Sequence, residues 1–396
     1  PERCGSLIDM GDGKFRKSVF ACRDGFVNVT PGNSEMGALI AWLIEEQLLD
    51  ESFANTDWSA SWDRPIPGFQ LFPDELLAEK VELLAARYDR KQFMRHYIAK
   101  GIRTAPLNGP RELLDLEHLT ERGFWQTQSL GSSTNTRAPG AFVRSSRPAP
   151  SGWSPAPRLD EPGGVIRTKQ PAGAALADTA DGRLPFEGVR IADFTWAVAG
   201  PSTTKIFADL GANVVRIESH SRPDLLRWLP PYQDDREGPN RSLSWSQWNT
   251  SKRSIALNLK HPEGVAIARR LMGWADVVVE NFSPGTIDRL GLGYEVAKTL
   301  NPDIIMLSST LMGQTGSGAR IGGWGHQAAS VAGFFELTGW PDLPPDGPYF
   351  AHTDVIAPMF SACALMAALD HRSRTGEGQY LDVSQLEAAL QFLAPE

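Results

Sequence analysis

From Phe186 to Ser309 the chain alternates short runs of apolar, largely β-branched residues with stretches of helical spacing. That alternation limits the possible folds more than any other feature. Val189, Ile191, Ala192 and Phe194 read as a buried strand, which Ala199-Gly200-Pro201 turns into a helix with proline at an early position. Val214, Val215 and Ile217 make the next strand, ending in Glu218. Further strands are expected over 254–259, 276–280 and 303–309, and helices over 262–274 and after Asn281-Phe282-Ser283-Pro284-Gly285. A Trp- and Pro-rich excursion, 222–248, interrupts the series. Strand and helix in strict alternation imply an α/β domain with a doubly wound, mostly parallel, Rossmann-like sheet, whose ligands gather at the strand carboxyl ends.

Residues 349–379 add one carboxylate, Asp354, just ahead of an apolar helix. In that helix Ser361, Ala362, Ala364, Ala367 and Ala368 leave little side-chain bulk, so a ligand or another backbone can approach closely. The basic turn His371, Arg372, Arg374 suits the helix's negative end, and Gly376 and Gly378 break it. On these residues alone Asp354 is either a reactive acid or a plain N-cap.

The first part of the chain has another character. Residues 18–30 read as a hairpin turning at Asp24-Gly25. Met36, Leu39, Ile40, Leu43, Ile44 and Leu48 follow at helical spacing. Residues 55–72, with Trp58, Trp62, Phe69 and Phe72, read as an irregular packed connection. Asp74 and Asp89 cap two more helices, the second with Phe93, Tyr97 and Ile98 inward and Gly101 as its stop. A short strand over 102–107 and a helix from Pro110 through Leu119 complete a small α+β domain, 1–128. Over 129–184 Pro, Gly, Ser and Ala take over and periodicity fades, the mark of an extended tail and linker. Phe142 and Trp153 suggest that its first half lies against something, with a free linker from about 162 to 181. The large domain is expected over 185–396.

Several function classes lose support. A net charge of −8 with no basic block argues against nucleic acid as a partner. No run of 18 apolar residues and no signal peptide is found, so no membrane role is expected. Three scattered cysteines, Cys4, Cys22 and Cys363, fit a reducing compartment and a cytoplasmic location, without a disulfide framework. No His pair stands at metal spacing, so no metal is expected. Glu218 lies ~20 residues after the first strand–helix turn, where a ribose-binding acid would stand, yet the turn lacks G-x-G-x-x-G. No P-loop and no G-x-S-x-G elbow occurs.

Read together, several segments carry a specific resemblance: 184–218 (LPFEGVRIADFTWAVAGPSTTKIFADLGANVVRIE), KRSIALNLKHPEG at 252–264, DVVVENFSPGTIDRLGLGYE at 276–295, LNPDIIMLSS with GQTG within 300–316, and HTDVIAP through RTGEGQ. In this order they resemble the class III CoA-transferase family, which includes formyl-CoA and carnitine-CoA transferases and the related α-methylacyl-CoA racemases. Residues 18–125 are similar to the family's small domain, which normally follows the large one, and 137–159 to its returning tail. The chain therefore reads as the back of one copy joined to the front of a second. A fragment of a tandem duplication is the simplest account, and a circular permutation the rival one. An interlocked homodimer, or an intramolecular pseudo-dimer of tandem copies, is the assembly the resemblance implies.

The chemistry it implies is movement of CoA from an acyl-CoA thioester to a free carboxylic acid through an aspartyl anhydride and an aspartyl-CoA intermediate, with Asp354 as nucleophile and no permanently bound cofactor. Asn281, Phe282, Arg289 and Leu290 match nucleotide and phosphate contacts, and Ala197, Val198 and Ala199 match contacts to the pantetheine arm. Val198, Ser219 and Thr310 replace the Gln, Arg and Lys of formyl-CoA transferase, which weakens a formyl/oxalate assignment. Two alternatives stay open. A racemase would use Asp354 with a histidine, and Gly325-His326 is similar to the racemase segment but about two residues off. His352 is two residues from Asp354, and alternation along an extended chain would put both on one side, with His352 a local polar neighbour more than a catalytic base. A catalytically inactive scaffold copy is the third reading.

Overall fold

The computed structural model describes residues 7–9, 15–55, 74–130, 134–147, 184–348 and 351–394. Trp58, Trp62, Phe69, Phe72, Trp153 and the linker expected over 162–181 lie outside them.

A ribbon of β1 (Leu7–Asp9) and β2 (Phe15–Lys17) leads into β3 (Val19–Cys22) and β4 (Gly25–Val29), the expected hairpin. Gly25 holds φ +146, a conformation that a side chain would strain. Then come α1 (Asn33–Glu45), α2 (Asp74–Ala85) and α3 (Arg90–Lys100). Asp89 caps α3 by accepting from the Gln92 N–H at 2.7 Å, and Gly101 ends it in the left-handed region. Leu39, Trp42, Leu43, Phe93 and Tyr97 form the core of this part. Ile98, expected inward, is 44% exposed, because Phe93, Met94 and Tyr97 already define the buried face of α3. β5 (Thr104–Pro106) adds a third strand beside β4. The single helix expected from Pro110 is two short ones, α4 (Pro110–Leu114) and α5 (Glu117–Glu121), broken at Asp115 and Leu116.

The expected tail is more ordered than its composition implied. β6 (Trp125–Leu130) and β7 (Thr134–Pro139) form a hairpin across the boundary drawn at 128. β8 (Val143–Ser145) pairs antiparallel with the last strand of the main sheet. Backbone pairing, which composition does not register, supplies this order. Phe142 meets Phe360 edge-on at 4.7 Å.

The second part runs β9 (Arg190–Asp193), α6 (Ala199–Asp209), β10 (Asn213–Glu218), α7 (Leu243–Asn249), β11 (Arg253–Ala256), α8 (Pro262–Trp274), β12 (Val277–Glu280), α9 (Thr286–Arg289), α10 (Tyr294–Leu300) and β13 (Ile305–Thr310). It continues through α11 (Gly325–Val331), α12 (Phe334–Leu337), α13 (His352–Thr375), β14 (Gln379–Ser384) and α14 (Gln385–Leu390). Among the described residues the main sheet has the order β11-β10-β9-β12-β13-β14-β8, parallel except for β8. Every residue of β12 and β13 is buried: each strand opens on an apolar run, and Glu280, Ser308, Ser309 and Thr310 are buried at the carboxyl ends. Phe207 of α6 and Leu365 and Ala368 of α13 cover one face, and Met272 of α8 with Ala297 of α10 cover the other. By length and composition α13 would suffice to cross a membrane, but half of the qualifying stretch is buried in the protein. Arg372, near its end, pairs with Asp303 at 2.7 Å and Asp276 at 3.1 Å.

Candidate active site

The strand order reverses between β9 and β12: β10 and β11 lie to one side of β9, β12 to β14 to the other. Ligands of open α/β sheets bind at such a switch point, outside the strand carboxyl ends. Ala197, Val198 and Ala199 follow β9, and Asn281 and Phe282 follow β12, so five of the expected CoA contacts flank this crevice. Arg289 and Leu290 stand one short helix further on.

Asn281 clamps the first turn. Its Oδ1 accepts from the Trp196 N–H at 2.7 Å and its Nδ2 donates to the Trp196 carbonyl at 2.8 Å. Ala197 sits at φ +60, in the left-handed region that costs a non-glycine residue about 1–2 kcal/mol. Its N–H donates to Asp224 Oδ2 at 2.9 Å, and Arg216 Nη2 donates to the same oxygen at 2.6 Å. Burial pushes the Asp224 carboxyl up, against the pull of Arg216. Behind the turn, Lys252 Nζ donates to Asp193 Oδ2 at 3.1 Å, and the hydroxyls of Thr195 and Thr204 also donate to Asp193 at 2.5 and 2.6 Å. Burial takes Lys252 down to about 8, with Asp193 opposing. Burial would raise Asp193, but Lys252 and Arg216 outweigh it and hold the carboxyl below the usual range. This buried ionic support escaped the sequence reading, since Asp224 and Lys252 lie 27 and 59 residues from their partners.

Arg289 is exposed, donates to Thr286 Oγ1 at 2.8 Å, and has no carboxylate partner among the described residues. Glu218, weighed above as a ribose acid, is engaged by Arg227 at 2.7 and 2.8 Å and by Ser254 at 2.9 Å.

Asp354 lies inside α13 as its third residue, not ahead of it. Ala351 occupies the cap without a side-chain bond, so the N-cap reading of Asp354 does not hold. Asp354 is 6% exposed. Oδ2 accepts from the Gly325 N–H at 3.0 Å, and Oδ1 from Gln385 Nε2 at 3.1 Å. Thr353 Oγ1 lies between both supports, donating its one hydrogen to Gln385 Oε1 at 2.8 Å and standing 3.2 Å from the Gly325 carbonyl oxygen. Gly325 is required: an added Cβ would lie 2.5 Å from the Ala351 carbonyl oxygen. Burial raises the Asp354 carboxyl to about 6, while the two donors pull it back. Such a group is mostly ionised at neutral pH yet has little water shell to shed, which suits a nucleophile.

The histidines fare differently. His352 and Asp354 are two apart on a helix, so they point in different directions, which overturns the shared-side expectation. His352 packs edge-on against Phe334 at 4.8 Å. His326 follows Gly325 directly, and its Nδ1 is buried without a partner among the described residues. Burial takes this imidazole down to about 4. Neither Gly325 nor Gln385 was assigned to Asp354 in the sequence. Only the racemase-like Gly325-His326 pair drew notice there, and nothing local marks Gln385.

A family model described as CoA-transferase family III matches residues 10–162 and 186–396. The chain belongs to CoA-transferase family III. Among curated members of this family, it is 37% identical over 221 residues to a succinate–glutarate CoA-transferase of Agrobacterium fabrum, a match covering 55% of each chain. It is 38% identical over 210 residues to an acetyl-CoA:oxalate CoA-transferase of Acetobacter aceti, 53% of each chain. Among solved structures, a CaiB/BaiF family protein from Brucella suis matches with a TM-score of 0.51 at 34% identity, over 54% of this chain and 56% of that one. The chain spans about half the length of the curated relatives it matches.

Proposed function

We propose that the protein is a CoA-transferase in which Asp354 carries the acyl group and then CoA. The observation that carries this is Asp354 itself: a buried carboxylate held by two neutral donors, without a cation partner among the described residues, at the start of a helix of small residues. In the first step a carboxylate oxygen of Asp354 attacks the thioester carbonyl of acyl-CoA; the C–S bond breaks and CoA leaves as thiolate. The thiolate then attacks the Asp354 carbonyl of the anhydride, releasing the donor acid and leaving aspartyl-CoA. The acceptor carboxylate repeats the sequence in reverse, so neither protons nor electrons are consumed overall. Ala197 to Ala199, Asn281, Phe282 and Leu290 would line the CoA path, and the Arg289 guanidinium would meet its phosphates. CoA thus enters as part of the substrate. The two separate family matches, 10–162 and 186–396, support a reading as parts of two copies in tandem.

The test is to incubate the protein with a panel of acyl-CoA esters, quench, and map hydroxylamine-sensitive adducts by mass spectrometry, with Asp354→Asn in parallel. An acyl or CoA adduct on the Asp354 peptide that vanishes in the variant supports the reading. Exchange that survives Asp354→Asn defeats it.

One observation favours a second reading. His326, whose buried Nδ1 has no partner among the described residues, directly follows Gly325, the residue that meets Asp354, and an acid–base pair for an α-proton would use these two side chains. Solvent deuterium entering the acyl α-carbon without exchange of CoA would select that racemase chemistry.

A further inference from the structure

We propose that His118 and Arg122 are positioning residues for Asp354, acting through the glycine-rich loop that ends in Gly325. The inference rests on the nucleophile role given to Asp354 above. The loop between β13 and α11 spans residues 311–324, and at its near end both the α5 region and a carboxylate of the main sheet hold it.

The near end is gripped by α5 and the residue after it. His118 Nε2 donates to the Met312 carbonyl at 2.8 Å, while its Nδ1 accepts from the Gly318 N–H at 3.0 Å. Those two bonds require one neutral tautomer, and burial, the largest influence, does hold this imidazole's pKa below its ordinary value. Glu121 Oε2 accepts from the Ser317 N–H at 2.5 Å. Arg122, 2% exposed, forks onto Glu387 at 2.5 and 3.0 Å, and its Nη1 reaches Asp382 at 2.9 Å and Thr315 Oγ1 at 3.0 Å. Asp382 in turn accepts from the Gln314 N–H at 3.0 Å.

The glycines of this loop answer to the same two side chains. A Cβ on Gly313 would lie 2.3 Å from the Arg122 guanidinium, one on Gly316 would lie 2.6 Å from His118 Nδ1, and one on Gly318 would lie 3.0 Å from the His118 ring. Gly313 and Gly316 also hold φ of +85 and +93. The spacing G-x-x-G-x-G thus matches the close approach of His118 and Arg122. The far end is held from the same part of the chain. Gln327 accepts from the Trp324 N–H at 2.7 Å and donates to Asn28 Oδ1 at 3.0 Å, and the Arg103 guanidinium lies 4.8 Å from the Trp324 ring centre. Between these anchors lies the Gly325 N–H that meets Asp354.

His118→Phe keeps the ring volume and removes both bonds to the loop. The expected result is a fall of about tenfold or more in kcat with a smaller change in KM for acyl-CoA, and an acid limb of kcat/KM moved up by about one pH unit, because Asp354 loses a donor. Amide hydrogen exchange should quicken in the 312–325 peptide while the α13 and β12 peptides stay protected. Arg122→Lys keeps the charge but not the fork and should give an intermediate effect. If His118→Phe does not fold, Glu121→Gln, at an exposed position, reports the same loop with a smaller shift. An unmoved acid limb and unchanged exchange in 312–325 overturn the proposal. The exchange readout does not depend on catalysis, so activity that survives Asp354→Asn would sink the nucleophile reading while leaving the loop result to stand or fall separately.

Discussion

Gly325 donates its backbone N–H to Asp354 Oδ2 at 3.0 Å, joining residues 29 positions apart at the carboxyl edge of the sheet. The contact depends on a missing side chain, because the Gly325 Cα lies against the first turn of α13. Gly325→Ala should therefore push the loop off the helix and lower CoA exchange by about 10²-fold, as expected of a misplacement near 1 Å. Steady-state exchange assays check this. Activity within a few-fold of the parent would show that the contact is dispensable.

Asp354 titrates at about 6 in the folded chain and near 3.9 in an unfolded one, so folding favours its protonated form. Its contribution to stability is full below about pH 4 and is lost as pH rises through 6. Asp354→Asn removes that loss, and Gln385 can turn its amide to suit the new side chain. The variant should be inactive yet more stable than the parent above pH 6, by about 1–3 kcal/mol, with the difference vanishing towards pH 4. Denaturant titrations at several pH values measure it, and a difference independent of pH would contradict the assignment.

Gln385→Leu takes away the second donor to Asp354. The carboxyl should rise further, moving the acid limb of kcat/KM upward by about one unit. A pH–rate profile that does not move would mean that Gln385 serves packing alone.

Arg289 is exposed and has no carboxylate partner among the described residues. Arg289→Ala should leave stability within about 0.5 kcal/mol and raise KM for acyl-CoA roughly 3- to 10-fold, with kcat little changed. The defect should shrink as salt rises, since screening weakens the parent's contact. Equal KM values at low salt would remove Arg289 from the CoA path.

Lys252→Met leaves Asp193 buried beside fewer cations and should destabilise the protein by about 3–5 kcal/mol. Adding Asp193→Asn removes the orphaned charge and should recover much of the loss. A double-mutant cycle in urea tests this, and strictly additive losses would show that the pair is not coupled.

Much of this fold was legible locally. The apolar runs at β9, β12 and β13, the cap at Asp89, the stop at Gly101 and the turn at Asp24-Gly25 all rest on periodicity or on single-residue backbone preferences. Family motifs drew attention to Asp354 and to the turns at 197–199 and 281–282. Composition misled over 134–145, where strand pairing imposed order within the longer stretch rich in Pro, Gly, Ser and Ala. The shared side imagined for His352 and Asp354 failed because α13 begins at His352, so both residues stand on a helix and not on an extended chain.

The sequence by itself determined the alternation of elements, the family and the identity of the one acid at the head of the small-residue helix, because each is written in spacing along the chain. Only the tertiary structure decided what that acid is. Gly325 and Gln385 reach it from 29 and 31 residues away, and Asp224 and Lys252 support the first turn from comparable or greater distances. Hydrogen bonds and buried charges depend on what packing brings within 3 Å, and burial, which lifts Asp354 to about 6, is a property of the whole fold.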